Sequence, residues 1–141
     1  MEINIVTNIN DKVELEKLRR DVLHLDRINQ YYKNELLTNN AYAIAAYIDN
    51  ELVGGCYFHR LDETLMIDQL FVKEEYQNTG MRIGRNILEA LFNKKEELEK
   101  LLGEKVTICR IESDNEKAHA IYSKMGFRES STNKDTFYKS M

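Results

Sequence analysis

A chain of 141 residues with 43% hydrophobic and 31% charged residues has the length and composition of a globular domain, so we expect a single domain over residues 1–141. The formal net charge of -4, without a concentrated basic face, argues against nucleic acid as the main partner. The sequence contains neither a signal-like start nor an apolar run long enough to span a bilayer. We therefore expect a cytoplasmic protein without a membrane partner.

The cysteines do not suggest a metal or a disulfide. Cys56 and Cys109 are far apart in sequence, and no CxxC pair or His/Cys cluster has metal-ligand spacing. Both are predicted to be reduced core residues, and no metal is expected. His24, His59 and His119 share no spacing that indicates chemistry, and they are assigned no role.

The first predicted elements are a strand and two helices. Residues 2–7 alternate as a short strand does, and residues 8–11 then supply helix-capping side chains. A first helix and a second helical stretch ending at residues 39–40 follow, each with an apolar stripe. The stripes contain Val13, Leu15, Leu18, Val22 and Leu25, and then Ile28, Tyr31, Tyr32, Leu36 and Leu37.

The period then changes to that of strands. Residues 41–48 and 52–59 are predicted to form a hairpin around the polar connection 49–51, and residues 64–72 to add a third strand after a turn at 61–63. A helix over 84–100, a strand over 106–111 and a helix over 116–125 follow, the last ended by Gly126 in a left-handed conformation. Residues 127–130 and 136–139 complete the set as a strand pair.

This order, β-α-α-β-β-β-α-β-α-β-β, predicts a mixed α/β (α+β) sheet. Strand 64–72, helix 84–100 and strand 106–111 form a βαβ unit whose strands should be parallel. The turn between residues 76 and 84 lies at the carboxyl end of the first strand and leads into a helix N-terminus, where a phosphate can bind. Gly80 and Gly84 would let the backbone approach closely.

Alone, this turn is equally typical of a helix start that needs space for packing. No Gly-Lys-Ser/Thr follows, so the turn is not a P-loop, and the Gly-x-Gly-x-x-Gly dinucleotide fingerprint is absent. The residues on either side of the turn carry more information.

Two blocks resemble the GNAT superfamily of N-acetyltransferases. The segment Ile67-Asp68-Gln69-Leu70-Phe71-Val72-Lys73-Glu74-Glu75-Tyr76-Gln77-Asn78-Thr79-Gly80-Met81, continued by the helical residues 83–91, is similar to the central motif of that family. The segment Asn115-Glu116-Lys117-Ala118-His119-Ala120-Ile121-Tyr122-Ser123-Lys124-Met125-Gly126-Phe127 looks like its second signature. The order of the predicted elements also matches the fold of the family over essentially the whole chain. The resemblance implies an acetyl-CoA-dependent N-acetyltransferase.

The sequence departs from the family pattern at Arg82. Counted from Gln77, the pattern places a glycine or alanine there, whereas counting back from residues 83–85 aligns Gly80 and Gly84 with family glycines and puts Arg82 between them. Either way an arginine replaces a small residue. Its side chain could crowd the pyrophosphate or, if turned outward, add a positive charge beside it.

The resemblance also implies the cofactor site. Pyrophosphate would be bound by backbone amides of the turn, and pantetheine would lie between strands 64–72 and 106–111. Asn115 is expected to cap its helix and to contact the cofactor as well. The implied cofactor-binding residues are Leu70, Phe71, Val72, Gln77, Asn78, Thr79, Gly80, Met81, Arg82, Gly84, Asn115 and Tyr122.

Two side chains have catalytic roles in this interpretation. An amine is mostly protonated at neutral pH and must lose a proton before it can attack a thioester. Asp68, in an otherwise apolar strand at a position where the family often has an acid, would accept that proton directly or through water. Glu112 is an alternative base. Tyr122 occupies the general-acid position of the family and would protonate the departing thiolate. Structural roles are the competing interpretations: a locally satisfied carboxylate for Asp68, and a tyrosine packed on the sheet for Tyr122.

The family builds its acceptor pocket from the first two helices, which points to residues 23–27 and to the aromatic pair that follows. The predicted acceptor-binding residues are Asp26, Arg27, Tyr31 and Tyr32. The acceptor would be a primary amine on a small molecule or a peptide, and a homodimer is allowed. Two alternatives stay open: a non-catalytic acyl-CoA sensor or partner module, which Arg82 would permit, and a nucleotide binder, which leaves residues 115–127 unexplained.

Overall fold

A computed structural model of the protein describes residues 1–24 and 42–141. Two compact units are present, one containing Met1–Phe58 and Gln69–Leu91 and the other His59–Asp68 and Phe92–Met141. The predicted second helix lies outside the described residues, and so do Asp26, Arg27, Tyr31 and Tyr32. The single domain over residues 1–141 stays a prediction.

The described elements confirm the mixed α/β fold. Seven strands form one sheet in the order β1-β2-β3-β4-β5-β7-β6. In chain order the elements are β1 (Glu2–Val6), α1 (Ile9–Val22), β2 (Tyr42–Ile48), β3 (Glu51–Leu61), β4 (Thr64–Val72), a one-turn 3-10 helix (Glu74–Tyr76), α2 (Ile83–Asn93), α3 (Lys95–Leu102), β5 (Ile108–Glu112), α4 (Glu116–Lys124), β6 (Arg128–Glu129) and β7 (Thr136–Ser140).

In the first unit, α1 starts where the sequence predicts. Asn8 is the N-cap, and its side-chain oxygen accepts a hydrogen bond of 2.8 Å from the amide of Asp11. Leu15 and Leu18 of the predicted stripe are buried in a cluster that also contains Tyr57. Val13 was predicted in the same stripe, but 42% of it is exposed, because it lies on the solvent face of α1.

The β2–β3 hairpin is tighter than predicted. Its register pairs Ile48 with Glu51, so the connection has two residues instead of three. These two, Asp49 and Asn50, have φ angles of 50° and 67°. Both central residues of a type I′ turn have positive φ, and Asn and Asp tolerate this conformation best after glycine.

A buried polar network joins α1 to two strands of this unit. Arg19 is 1% exposed and donates through two of its nitrogens to the carboxylate of Glu16, at 3.0 and 2.9 Å. The hydroxyl of Tyr57 on β3 donates to the same carboxylate at 2.7 Å. A third nitrogen of Arg19 donates to the side-chain oxygen of Gln69 on β4 at 2.8 Å. The guanidinium therefore fixes the start of the β4 segment Gln69–Val72.

In the second unit, the predicted parallel pairing of the βαβ motif is confirmed. Thr64, Leu65 and Met66 of β4 pair in parallel with Ile108, Cys109 and Arg110 of β5. Strand β7 pairs antiparallel with the other edge of β5. The first β5 residue is Ile108, two residues later than expected.

The predicted single helix over 84–100 is wrong. The chain forms α2 and α3, which are separated at Lys94, a residue with φ -100° and ψ 21°. The break follows Asn93, whose short polar side chain disfavours helix interiors. Leu98 of α3 is fully buried, and α3 ends at Gly103 with a left-handed φ of 71°.

Helix α4 begins and ends as predicted. The side-chain oxygen of Asn115 accepts hydrogen bonds from the amides of Lys117 and Ala118, at 2.9 and 3.4 Å. Gly126, directly after the last turn, has a φ of 94°. Among residues 1–24 and 42–141, no helix combines the length and the apolar character needed to cross a membrane.

Candidate active site

The loop between β4 and α2 is held by side chains that bond to backbone carbonyls. The side-chain amide of Gln77 donates to the carbonyl of Val72 at 2.7 Å and ties the loop to the end of its strand. The hydroxyl of Thr79 donates to the carbonyl of Tyr76 at 3.0 Å. Asn86 of α2 reaches back to the carbonyl of Met81 at 3.1 Å. These bonds satisfy loop carbonyls and leave most of the loop amides unused.

Three alternate residues of this loop have left-handed backbone. Asn78, Gly80 and Arg82 have φ angles of 58°, 82° and 54°. Within the described chain, the amide of Met81 donates to the hydroxyl of Thr79 at 3.4 Å, and the other amides of residues 78–82 have no acceptor. The first three amides of α2 have no acceptor either. Unpaired amides beside the positive end of a helix dipole form a site for an anion such as pyrophosphate.

The backbone conformation of Arg82 accounts for the small residue that the family pattern has at this position. Its φ of 54° is one that glycine adopts without cost and that other L-residues adopt at a cost of about 1–2 kcal/mol. This favours the register counted from Gln77, in which Arg82 stands at the position of a small residue. Arg82 is an exposed residue.

Gly80 in the loop and Gly84 in the first turn of α2 differ in what surrounds them. A Cβ added at Gly80 would meet no atom within 4 Å, so only its φ of 82° requires glycine. A Cβ at Gly84 would lie 3.6 Å from Leu70 and 3.8 Å from Val72, which is ordinary contact with the strand. Gly84 therefore faces β4, and its part in binding the cofactor stays a prediction.

The end of β4 alternates between the two faces of the strand. Leu70 and Val72 lie against Gly84 of α2. The ring of Phe71 lies on the other face, 3% exposed, with its centroid 5.7 Å from that of Tyr57. Its carbonyl is 2.9 Å from where a Cβ of Gly54 would be, so β3 needs a glycine there. The backbone of this segment is thus fixed from both faces.

Tyr122 lies in an aromatic cluster of the second unit. It is 6% exposed, and its ring centroid is 5.7 Å from both Phe127 and Phe137. Asn115 caps the same helix, as predicted, with the oxygen of its side chain. The helix and the two phenylalanines fix the position of the Tyr122 ring, whichever role its hydroxyl has.

Asp68 is in contact with a histidine that was assigned no role. One carboxylate oxygen of Asp68 is 2.8 Å from Nδ1 of His59, and 23% of the Asp68 side chain and 41% of the His59 side chain are exposed. Burial raises the pKa of Asp68, and the hydrogen bond and charge of His59 lower it in part. This pair was missed because residues on two strands of a hairpin share no short spacing.

Glu112, the alternative base, is already engaged. Its carboxylate forms an ion pair with Arg110 and accepts a hydrogen bond of 3.4 Å from the hydroxyl of Thr136. It lines a polar groove of about 530 Å³ together with Asp114 and Lys134. Glu112 is therefore held by neighbours on β5 and β7.

Both cysteines are reduced and buried, as the sequence predicts. Burial raises the pKa of Cys109 to about 12, so its thiol stays protonated near neutral pH. In the described ranges, no three His, Cys, Asp or Glu side chains are grouped so that they could hold a metal ion.

The comparisons with known proteins identify the family of this chain. The model of the "Acetyltransferase (GNAT) family" matches residues 10–127. The chain therefore belongs to the GNAT acetyltransferase family, whose general activity is acetyl-CoA-dependent acetyl transfer. A search of curated proteins finds no significant match.

Solved structures share the fold at low sequence identity. The PaiA N-acetyltransferase of Thermoplasma acidophilum in complex with coenzyme A is 21% identical, with a TM-score of 0.63 and 100% of both chains covered. The ribosomal-protein-alanine N-acetyltransferase of Brucella melitensis is 17% identical, with a TM-score of 0.70 and 100% of both chains covered. Aminoglycoside 6'-acetyltransferase type Ii is 18% identical, with a TM-score of 0.70, and the match covers 99% of this chain and 97% of that one.

Gly80 in the loop and Gly84 in α2 provide a matched test of coenzyme binding. Gly80→Ala forces alanine into a left-handed conformation at about 1–2 kcal/mol, which should move the loop amides and raise the Kd of CoA about tenfold. Gly84→Ala adds a methyl group in ordinary contact and a better helix former, so the Kd should change less than about twofold. Titration calorimetry measures both. Equal effects would contradict the assignment of the loop backbone as the anion site.

Proposed function

We propose that the protein transfers the acetyl group of acetyl-CoA to a primary amine by direct attack within a ternary complex. The observation that carries the proposal is the loop between β4 and α2, whose unpaired amides and helix N-terminus fit a pyrophosphate, in a chain that belongs to the GNAT family. Acetyl-CoA would be held through the amides of residues 77–84 and along the backbone of Leu70, Phe71 and Val72.

Two residues of the second unit would move protons. Asp68 would assist removal of the proton from the incoming amine, either directly or through a neighbouring group, and burial raises the pKa of its carboxyl. Tyr122 would donate a proton to the sulfur as the thioester bond breaks. Asn115 would contact the coenzyme with the part of its side chain that does not cap α4.

Direct transfer is favoured over an acyl-enzyme because the chain offers no suitable thiol. An acyl-cysteine route needs an accessible thiolate, whereas Cys56 is fully buried and the thiol of Cys109 is buried and protonated. The nitrogen of the amine would therefore attack the thioester carbonyl itself.

The fold does not determine which amine is the acetyl acceptor. Two structures similar to this chain are named for unlike acceptors, a ribosomal-protein alanine and an aminoglycoside. We propose that the acceptor is a primary amine of a small molecule or a peptide, bound in part by Asp26, Arg27, Tyr31 and Tyr32. A cytoplasmic location and a homodimer remain predictions.

An amine panel tests the proposal. Purified protein is incubated with acetyl-CoA and with small amines, polyamines, aminoglycosides and peptides, and thiol release and acceptor mass are followed. We expect at least one amine to gain an acetyl group with stoichiometric release of CoA. Calorimetric binding of CoA without acetylation of any amine would favour the sensor, and absence of CoA binding would overturn the proposal.

A further inference from the structure

His59 on β3 presents one ring nitrogen to Asp68 and leaves the other free. The Nδ1 atom is 2.8 Å from the Asp68 carboxylate, and in the described part of the chain Nε2 has no hydrogen-bond partner. An ionised carboxylate can only accept hydrogen bonds, so it selects the tautomer in which Nδ1 carries the proton. The lone pair of the neutral ring is then on Nε2.

The exposure of the two side chains places His59 on the outer side of the pair. The imidazole is 41% exposed and the carboxylate 23%. Asp68 as a whole residue is exposed, so its main chain is more accessible than its side chain. The pair therefore lies beside open backbone of β4, with the histidine as its more accessible member.

The free ring nitrogen also favours the histidine. A general base needs an unused lone pair, and Nε2 of the neutral ring has one. Asp68 already uses one carboxylate oxygen to bind the ring. Among described residues, Asp68 is the charged side chain in contact with His59; the neighbouring Arg60 donates instead to the carbonyl of Asp62 at 2.7 Å.

We propose that Nε2 of His59 accepts the proton of the acceptor amine and that Asp68 is a positioning residue that holds the ring. This inference rests on the acetyl transfer proposed above. The ammonium form of the acceptor first releases one proton to solvent. The nitrogen of the neutral amine then forms a bond to the carbonyl carbon and gives a proton to Nε2, the carbon–sulfur bond breaks, and the thiolate takes a proton from the hydroxyl of Tyr122. The imidazolium proton returns through water to Tyr122, which leaves an amide and free CoA.

The matched variants are His59→Asn and Asp68→Asn. In His59→Asn, the side-chain nitrogen of the introduced asparagine would replace Nδ1 as the donor to Asp68 but supply nothing at the place of Nε2. The value of kcat at pH 7 should therefore fall about 100-fold, and the shape of the pH–rate profile should change. Asp68→Asn retains an acceptor for the ring, and kcat should fall only about tenfold. The Kd of CoA should be unchanged in both, which also shows that they fold.

A second readout does not depend on turnover. In the nitrogen-15 NMR spectrum of the free protein, neutral His59 should show a protonated Nδ1 and an unprotonated Nε2, with the signal assigned by its loss in His59→Asn. Wild-type kcat and pH profile in His59→Asn, or a protonated Nε2, would overturn the inference. If Asp68→Asn is inactive while His59→Asn is not, Asp68 itself is the base. A wild-type protein that acetylates no amine contradicts the proposed function instead.

Discussion

Tyr122→Phe is expected to lower kcat about 100-fold, while the Kd of CoA changes little. A general acid contributes about 10²–10⁴-fold to a rate, and the variant removes only the hydroxyl that would protonate the thiolate. The ring keeps its contacts with Phe127 and Phe137, so the aromatic cluster should remain packed. Steady-state kinetics with the amine identified by the panel measures the effect.

The matched control is Tyr138→Phe, which removes a hydroxyl from a half-buried tyrosine on β7. It should retain wild-type kcat, and thermal denaturation should place both variants close to the wild-type protein, since a lost hydrogen bond costs about 0.5–1.5 kcal/mol. If the two variants have the same kcat, Tyr122 is a packing residue and the general acid must be sought elsewhere.

Arg19→Met is expected to lower the free energy of unfolding by about 3–5 kcal/mol. Removing one member of a buried ion pair leaves the other as an uncompensated charge. Glu16 is 6% exposed, so its carboxylate would keep only the hydroxyl of Tyr57 among the bonds described above. Gln69 would also lose a donor at the start of the β4 segment that leads to the loop. Urea denaturation measures the change.

Two further variants show whether the buried charge causes the loss. Lys17→Met breaks an ion pair of the same i,i+3 spacing with Glu14, but both side chains are 64% exposed, so the cost should stay below about 1 kcal/mol. Adding Glu16→Gln to Arg19→Met removes the stranded charge and should recover part of the stability. A double variant less stable than Arg19→Met would show that the lost packing of the arginine stem dominates.

Local signals in the sequence predicted local structure well. The limits of β4, the cap at Asn115 and the left-handed Gly126 were all predicted from short patterns of side chains and are confirmed. The break at Lys94 was not predicted, because the apolar and charged residues around it continue a helical period.

The parts of the site that the sequence did not reveal depend on distant residues. His59 and Asp68 meet across a hairpin, and Arg19 meets Gln69 over 50 positions of chain. The conformation of Arg82 could not be predicted for a different reason: its φ of 54° is one that an arginine rarely adopts. Side-chain types alone carry no information about such constraints.

Because both thiols are buried, one thiol-specific chromogenic reagent can be used to assay every variant proposed above. Cys56 and Cys109 are the only cysteines in the chain, and both are buried in the folded protein. A thiol-specific dye therefore reacts with released CoA during turnover and with the protein only after it unfolds. The same colour change reports catalysis under native conditions and, with acetyl-CoA omitted and urea added, the loss of the fold.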